Sequence, residues 1–199
     1  MNLKLWPALL LLATLAGCLG APVAPVTETP PQPAPTTGGG SDQVILEEAL
    51  RGRALGNAEV AGLSDRLLTE GNPALNDQTT MARLEILLLK ALKNQDKAHR
   101  PTLLRNLGII HYHQGQYKKA RQELQHSNEL FPRDPRTHFY LARLFTQQGE
   151  IYQKQGKKSL AKQQFKRAAI EMEMARKLAP GNPTYRQDLQ QTIRQEQGK

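Results

Sequence analysis

Apolar residues in the second half of the chain recur at intervals of three and four, and small residues interrupt them at fixed places. Residues 101–135 follow the pattern Leu104-x2-Leu107-Gly108-x2-His111, then Ala120-x3-Leu124, then Pro132. The small residues Gly108 and Ala120 allow the axes of two antiparallel helices to approach to roughly 8–10 Å. Gly115 ends the first helix and Pro132 ends the second. The pattern predicts a helical hairpin.

This spacing resembles that of a tetratricopeptide repeat, a unit of two antiparallel helices. Leu104 stands at the usual Trp position, His111 at the usual Tyr position and Leu124 at the usual Phe position. Those differences change the volume of the core and leave the helix pairing intact. The resemblance implies an all-α fold, a short α-solenoid of antiparallel hairpins, with a first repeat at residues 101–134.

A second repeat is expected at residues 135–182, with a longer middle. It is marked by His138-x2-Leu141-Ala142-x2-Phe145 and by Ala168-x3-Met172-x2-Ala175 before Pro180. Seven extra residues per helix make nearly two whole turns, which keeps the contact face on one side. We therefore predict two lengthened helices with a tip near residues 155–158. The alternative ends the first helix at Gly149 and makes 150–156 a loop.

Three helices are predicted at residues 42–100, before the first repeat. The first is capped by Ser41 or Asp42, the second by Asn57, and the third starts at Asp77. The run 86–89 (Ile-Leu-Leu-Leu) is apolar nearly all round, which favours burial on both sides over a docking face. The pattern leaves open whether residues 57–94 form a degenerate repeat.

The segment after Pro180 predicts a last helix at residues 183–199. Tyr185, Leu189 and Ile193 form a narrow apolar stripe, and the rest of the helix is polar. One apolar edge with a polar back is typical of a helix that caps a solenoid end.

The start of the chain has the pattern of an export signal. Lys4 precedes an apolar run that is too short to span a bilayer as a mature helix. The run ends in Leu15-Ala16-Gly17-Cys18, which resembles a bacterial lipobox and implies removal of residues 1–17 and lipidation of Cys18. The alternative is an ordinary secretory signal with an unrelated cysteine. In many bacteria with two membranes, an Asp directly after the cysteine would resemble a signal for retention in the inner membrane. Leu19 stands at this position, so the expected location is the outer membrane, facing the periplasm.

Residues 18–41 are rich in Pro, Ala, Thr and Gly and lack the apolar content of a core. We expect a disordered tether that reaches on the order of 60 Å in polyproline II conformation. Cys18 is the single cysteine of the 199 residues, so a lipidated chain has no thiol for a disulfide, a metal or catalysis.

The sequence carries no recognisable catalytic or cofactor motif. It has no CxxC, HExxH, phosphate-binding loop or nucleophile elbow. His111 and His113 are two residues apart on a helix and point to different sides, so a packed core histidine is the better interpretation of His111. We expect a protein that is not an enzyme and binds no cofactor and no metal.

The formal net charge of +9 is distributed unevenly. Residues 101–199 hold 18 Lys and Arg against 8 Asp and Glu, whereas residues 42–100 hold 8 against 9. The surplus peaks in a basic patch at the predicted tip, which comprises Lys154, Lys157, Lys158, Lys162, Lys166 and Arg167. Such runs are usually solvated surface, but a tip location favours an anionic partner.

Tetratricopeptide repeats bind ligands in a concave groove lined by their first helices. The resemblance carries that role to Arg105, Asn106, Ile109, Tyr112, His113, Arg136, Phe139, Tyr140, Arg143 and Gln147. Aromatic and arginine side chains together suit an extended peptide or helix. The alternative is that part of this face packs on the upstream helices.

These features together predict a scaffold or assembly factor of the bacterial envelope, with a protein partner and no nucleic acid. In architecture the chain resembles the pilotin-type lipoproteins of type IV pilus and secretion pores; outer-membrane protein assembly and regulation of a peptidoglycan synthase are equally compatible. The alternative function is a surface-binding module whose basic hairpin holds an anionic lipid or envelope polymer.

Overall fold

The structure, a computed structural model, describes residues 39–197, and their side chains from residue 41. This part of the chain consists of helices and contains no strand. The helices are α1 (Gly39–Leu50), α2 (Asn57–Leu67), α3 (Gln78–Leu92), α4 (Arg100–His113), α5 (Tyr117–Leu130), α6 (Pro135–Lys154), α7 (Lys158–Leu178) and α8 (Pro183–Gln197), with a 3-10 turn at Pro73–Asn76. The predicted fold class, an all-α solenoid of helical hairpins, is confirmed.

The first hairpin, α4–α5, closes around a glycine. A Cβ atom added to Gly108 would lie 2.7 Å from Leu124 Cγ and 3.2 Å from the carbonyl oxygen of Ala120. Both distances are shorter than normal van der Waals contact, so no larger residue fits without moving α5. Ala120 and Leu124 are fully buried in the same contact. The small residues thus set the helix spacing, as their position in the repeat predicts.

The second hairpin, α6–α7, uses the same contact further along its helices. A Cβ atom added to Gly149 would lie 2.6 Å from the ring of Phe165, and Ala161 is buried beside it. The spacing from Gly149 to Ala161 and Phe165 equals the spacing from Gly108 to Ala120 and Leu124. Gly149 is therefore the counterpart of Gly108.

Each hairpin turns at a glycine with a positive φ angle, Gly115 at 75° and Gly156 at 73°. In the first turn the amide of Gln116 donates to the carbonyl of His111, and in the second the amide of Lys157 donates to Tyr152. These six-residue closures are Schellman motifs, which need a left-handed residue at the turn. Because α6 continues to Lys154, the loop alternative for residues 150–156 is wrong.

The N-terminal helices differ in detail from their prediction. α1 begins at Gly39, so the predicted caps Ser41 and Asp42 lie inside it; α2 is preceded by Gly56 as its N-cap, and Asn57 lies inside that helix. The Asn57 side chain instead donates to the carbonyl oxygen of Ala91 and so joins α2 to the end of α3. The Asp77 carboxylate caps α3, as predicted, by accepting from the amides of Thr79 and Thr80.

The apolar run in α3 is buried on one side only. Leu87 and Leu88 lie in the core, whereas Ile86 is 59% exposed and Leu89 is 45% exposed. The expectation of burial on both sides is therefore wrong, because nothing in the described part of the chain covers the outer face of this helix.

The last helix, α8, packs on α7 and covers the end of the solenoid. Tyr185 is buried with its ring centroid 4.8 Å from that of Phe139. Further along, Thr192 is buried and Ile193 is partly exposed, so the apolar stripe of α8 stops after Leu189.

Candidate docking surfaces

The concave face formed by α4 and α6 is largely filled by the chain itself. Of the ten predicted groove residues, five are buried, namely Arg105, Asn106, Ile109, Phe139 and Tyr140. The other five are partly exposed, namely Tyr112, His113, Arg136, Arg143 and Gln147. The expectation that the buried five are exposed is wrong, because α2, the 3-10 turn and α8 pack against them. The alternative that we left open, packing on the upstream helices, applies to this half of the face.

The filled half is held by a buried arginine. The guanidinium of Arg105 bonds the carboxylates of Asp65 on α2 and of Asp134 at the start of α6. Asp134 is itself buried and caps α6, accepting from the amide of Arg136 at 2.9 Å. A buried charge is tolerated only when it is paired and hydrogen-bonded. This arginine therefore joins α2, α4 and α6.

Two further polar contacts fix α2 in the concave face. The side-chain amide of Asn106 donates to Ser64 Oγ at 2.7 Å, and Arg136 donates to the carbonyl oxygen of Leu68 at 2.6 Å. Ser64 and Leu68 are fully buried. Buried polar groups contribute specificity when each has a partner, so α2 is an integral layer of the fold.

The open half of the concave face consists of two clefts on either side of Arg143. One, of about 220 Å³, lies between α6 and α8 and is lined by residues that include Tyr112, Gln147 and Asp188. The other, of about 290 Å³, lies against the 3-10 turn and is lined by residues that include Glu70 and His113. Arg143 stacks over the Phe139 ring at 4.4 Å and donates to Asp188 at 3.1 Å, so its position is fixed.

Burial shifts the pKa of two groups in the cleft walls, His113 and Glu70. Burial, with a smaller effect of the Arg143 charge, lowers the pKa of His113, so this histidine is neutral near pH 7. Burial likewise raises the pKa of Glu70 above its ordinary value, although Arg143 and Arg136 oppose the shift. His113 Nε2 lies 3.2 Å from the Tyr140 hydroxyl. The clefts thus present a neutral aromatic wall beside the Arg143–Asp188 ion pair.

Two other histidines form ion-pair clusters that sequence reasoning missed. His111 lies 2.5 Å from Glu123 and 3.2 Å from Glu85, and His138 lies 2.6 Å from Glu171. Burial lowers the pKa of His111, but the two carboxylates outweigh burial and raise it. The placement of His111 in the core is as predicted. Its partners come from α3 and α5, a juxtaposition that one-dimensional spacing does not reveal.

The six cations of the basic patch are all exposed, and four of them, Lys154, Lys157, Lys158 and Lys162, lie between Gly149 and Phe165, on the tip of the hairpin. Within residues 41–197, none of them forms an ion pair with a carboxylate. Lys157 instead lies 6.0 Å from the Tyr152 ring, and Arg167 lies 5.8 Å from the Phe145 ring. The patch therefore keeps its positive charge.

Several predictions lie outside the described residues. They are the signal peptide at 1–17, the lipidated Cys18 and most of the tether. Among the residues that the structure does describe, no helix combines the length and the apolar character needed to cross a bilayer. In the same residues, no group of three or more His, Cys, Asp or Glu side chains is placed to hold a metal ion.

Comparison with known proteins identifies the repeat segment. Residues 99–169 match the tetratricopeptide repeat family. The chain is also 34% identical, over 94 residues, to the photosystem I assembly protein Ycf3 of Rippkaea orientalis (strain PCC 8801 / RF-1). That alignment covers 47% of this chain and 54% of the relative, so the chain spans about half the length of the curated relative. The packing of α4–α5 and α6–α7 as antiparallel hairpins agrees with the family match, and tetratricopeptide repeats are in general a protein-binding architecture.

Proposed function

We propose that this chain is a non-catalytic assembly factor of the bacterial envelope, lipid-anchored through Cys18, that holds a protein partner in the clefts beside Arg143. One observation carries the binding role. The concave face is filled except at these two clefts, where half-exposed Tyr112, Gln147 and Arg143 remain accessible. Aromatic and arginine side chains in partly desolvated pockets are typical anchors of protein interfaces.

The assembly role is supported by the relative, whose name describes assembly of photosystem I. The envelope location is supported by the lipobox-like Leu15-Ala16-Gly17-Cys18, and pilus or secretion pores and outer-membrane complexes are the candidate targets. In this proposal the lipid fixes the location and the tether sets the reach. The partner is an envelope protein, and neither a cofactor nor a nucleic acid takes part.

Site-specific photocrosslinking in cells tests the docking site. A photoreactive residue replacing Gln147 is expected to capture a defined protein, because Gln147 lines the cleft between α6 and α8. Adding Arg143→Ala is expected to abolish the capture. The matched control carries the photoreactive residue at Gln122, on the outer face of α5. Equal capture from both positions, or capture that survives Arg143→Ala, would contradict docking in the clefts.

The anchor has its own test. Cys18→Ser is expected to abolish incorporation of labelled palmitate and to release the chain from the outer-membrane fraction. Retention of palmitate in that variant would contradict anchoring through Cys18 and would leave the docking proposal standing.

A second candidate is a surface-binding module, favoured by the six exposed and unpaired cations of the basic patch. Binding of an anionic lipid or polymer by this patch would weaken steeply between low and moderate salt, because exposed charges are screened within about 10 Å at 0.1 M. A protein held in the clefts by buried aromatic contacts would remain bound.

A further inference from the structure

The outer face of α7 combines cations with exposed aliphatic side chains. Lys162, Lys166, Ile170 and Met174 follow one another at four-residue intervals, each about 40° further round the helix, and are all exposed. Residues four apart on a helix lie on neighbouring parts of its surface. Ile170 is 56% exposed, and nothing in the described part of the chain covers it. This face therefore offers positive charge and apolar surface to the same partner.

Acidic residues near this face are already neutralised. Between Glu150 and Glu171 the chain has five lysines, one arginine and no acidic residue. Glu171 lies 2.6 Å from the His138 ring, and Glu173 is paired with Arg176 at 2.7 Å. The electrostatic potential at the outer face of α7 is therefore positive along the half of the helix that carries the lysines.

The second hairpin also projects beyond the rest of the solenoid. The end of α4 lies beside Tyr140, whose hydroxyl is 3.2 Å from His113. α8 accompanies α6 as far as Glu150, whose carboxylate accepts from the side-chain amide of Gln195, and α6 then continues to Lys154, which at 1.5 Å per residue adds roughly 6 Å before the turn. Peptides are recognised in grooves or at sheet edges, and a projecting convex rod offers neither. A convex face with lysines around aliphatic side chains matches an anionic bilayer surface, where cations meet headgroups and aliphatic groups enter the acyl boundary.

We infer that the outer face of α7 docks on an anionic membrane surface, with Lys158, Lys162 and Lys166 on the phosphates and Ile170 between headgroups. The inference deepens the second candidate function and rests on it. It makes the bilayer the occupant of the basic patch, in preference to an anionic polymer. A lipid anchor at Cys18 strengthens the contact, because a tethered surface binds at high effective concentration.

Vesicle binding tests the inference without the anchor. The mature chain that the lipobox implies, residues 18–199 carrying Cys18→Ser, is mixed with phosphatidylglycerol–phosphatidylcholine vesicles or with pure phosphatidylcholine vesicles at about 0.1 M salt. We expect sedimentation with the anionic vesicles. Lys158→Gln, Lys162→Gln and Lys166→Gln together are expected to weaken binding on the order of 100-fold, since each lysine near an anionic surface contributes about a fivefold factor.

The matched control removes the same charge elsewhere. Lys90→Gln, Lys93→Gln and Lys118→Gln together replace three exposed lysines outside the second hairpin. Vesicle affinity of this variant is expected to stay within about threefold of the parent, because only local charge contacts the headgroups. Equal weakening by both triple variants would overturn a localised docking face.

Depth of insertion is read from a fluorophore. An environment-sensitive dye attached to Ile170→Cys in the Cys18→Ser background is expected to shift to the blue on anionic vesicles. The same dye at Ala82→Cys, an exposed position on α3, is expected not to shift. No shift at either position would overturn insertion of the α7 face.

The outcomes separate the inference from the function on which it rests. Binding to soluble polyphosphate or polyglutamate, reduced by the basic-patch variant and without any binding to anionic vesicles, would overturn the membrane inference and keep the surface-binding module. Absence of binding to every polyanion would overturn both.

Discussion

The two hairpins are built around the same close helix–helix contact, here called the seam, in which a glycine of the first helix meets a large apolar side chain of the second. Their surroundings differ. Gly108 meets Leu124 in the first and Gly149 meets Phe165 in the second, at the same spacing in the sequence. Nine of the fourteen residues of α4 are buried, because α2 and α3 cover this helix in addition to α5. Beyond Gly149, α6 has no buried residue. The seam holds each pair of helices together, and a third layer decides which hairpin is structural core and which is free surface.

The largest loss of stability is expected at the contact that joins α2 to the hairpins, the ion pairs of Arg105 with Asp65 and Asp134. Asp134→Ala removes the N-cap of α6 and leaves Arg105 buried with a single carboxylate partner. We expect a loss of about 3–5 kcal/mol in the free energy of unfolding. Asp77→Ala is the matched control, because Asp77 caps α3 in the same way but is exposed, and its loss should be clearly smaller. Equal losses in denaturant titrations would show that the buried pair contributes nothing beyond capping.

The two seams can be compared directly by enlarging their glycines. Gly108→Leu should cost about 2–4 kcal/mol, because its Cβ meets the backbone carbonyl of Ala120 as well as Leu124. Gly149→Leu should cost less, because it meets only the Phe165 ring, in a hairpin whose outer end is free to shift. Gly62→Ala is the control for helix propensity and should stabilise by up to about 1 kcal/mol. An unchanged thermal melt for Gly108→Leu would refute the seam.

The His111 cluster sharpens the comparison through pH. The carboxylates of Glu123 and Glu85 raise the pKa of His111 in the folded state despite burial. Its stabilising contribution is therefore complete below about pH 6.5, the ordinary histidine pKa, and is lost as pH rises through the higher folded value. His111→Gln should cost about 1–3 kcal/mol at pH 5.5 and less at pH 8.5. A pH-independent difference in urea unfolding would show that the imidazole packs as a neutral group.

The smallest effect is expected in the basic patch. Lys158→Gln, Lys162→Gln and Lys166→Gln together should change the free energy of unfolding by no more than about 0.5 kcal/mol, because all three side chains are exposed and unpaired. A thermal melt of the triple variant checks this. A loss comparable to that of Gly108→Leu would mean that the second hairpin, too, depends on contacts around these lysines.

Sequence periodicity was sufficient for the hairpins and insufficient for their surroundings. The spacing of Gly108, Ala120 and Leu124 predicts the first seam, and a surplus of two sevens predicts the lengthened second pair. Gly149 has the same spacing to Ala161 and Phe165 as Gly108 has to Ala120 and Leu124. We did not use this signal, because Gly149 was also a possible end of the helix. Local spacing therefore predicts contacts between helices that are adjacent in the chain.

Contacts between distant segments left no such trace. Asp65 reaches Arg105 across 40 residues, and Glu85 reaches His111 across 26. Those pairs form because of where α2 and α3 pack. The hydrophobic stripe of each helix predicts that the helix packs on something, but it does not identify the helix that it packs on. The predicted groove was therefore half wrong, since its occupant was a piece of the same chain that carries no repeat spacing.

The seven-residue step of the second hairpin makes its length adjustable. Ala142 and Gly149, and likewise Ala161 and Ala168, occupy equivalent layers of the seam. Removing or adding seven residues in both helices at once would leave every layer in register and move the tip by about 10 Å. The protein can in this way be matched to a nearer or a more distant target without redesign of its core.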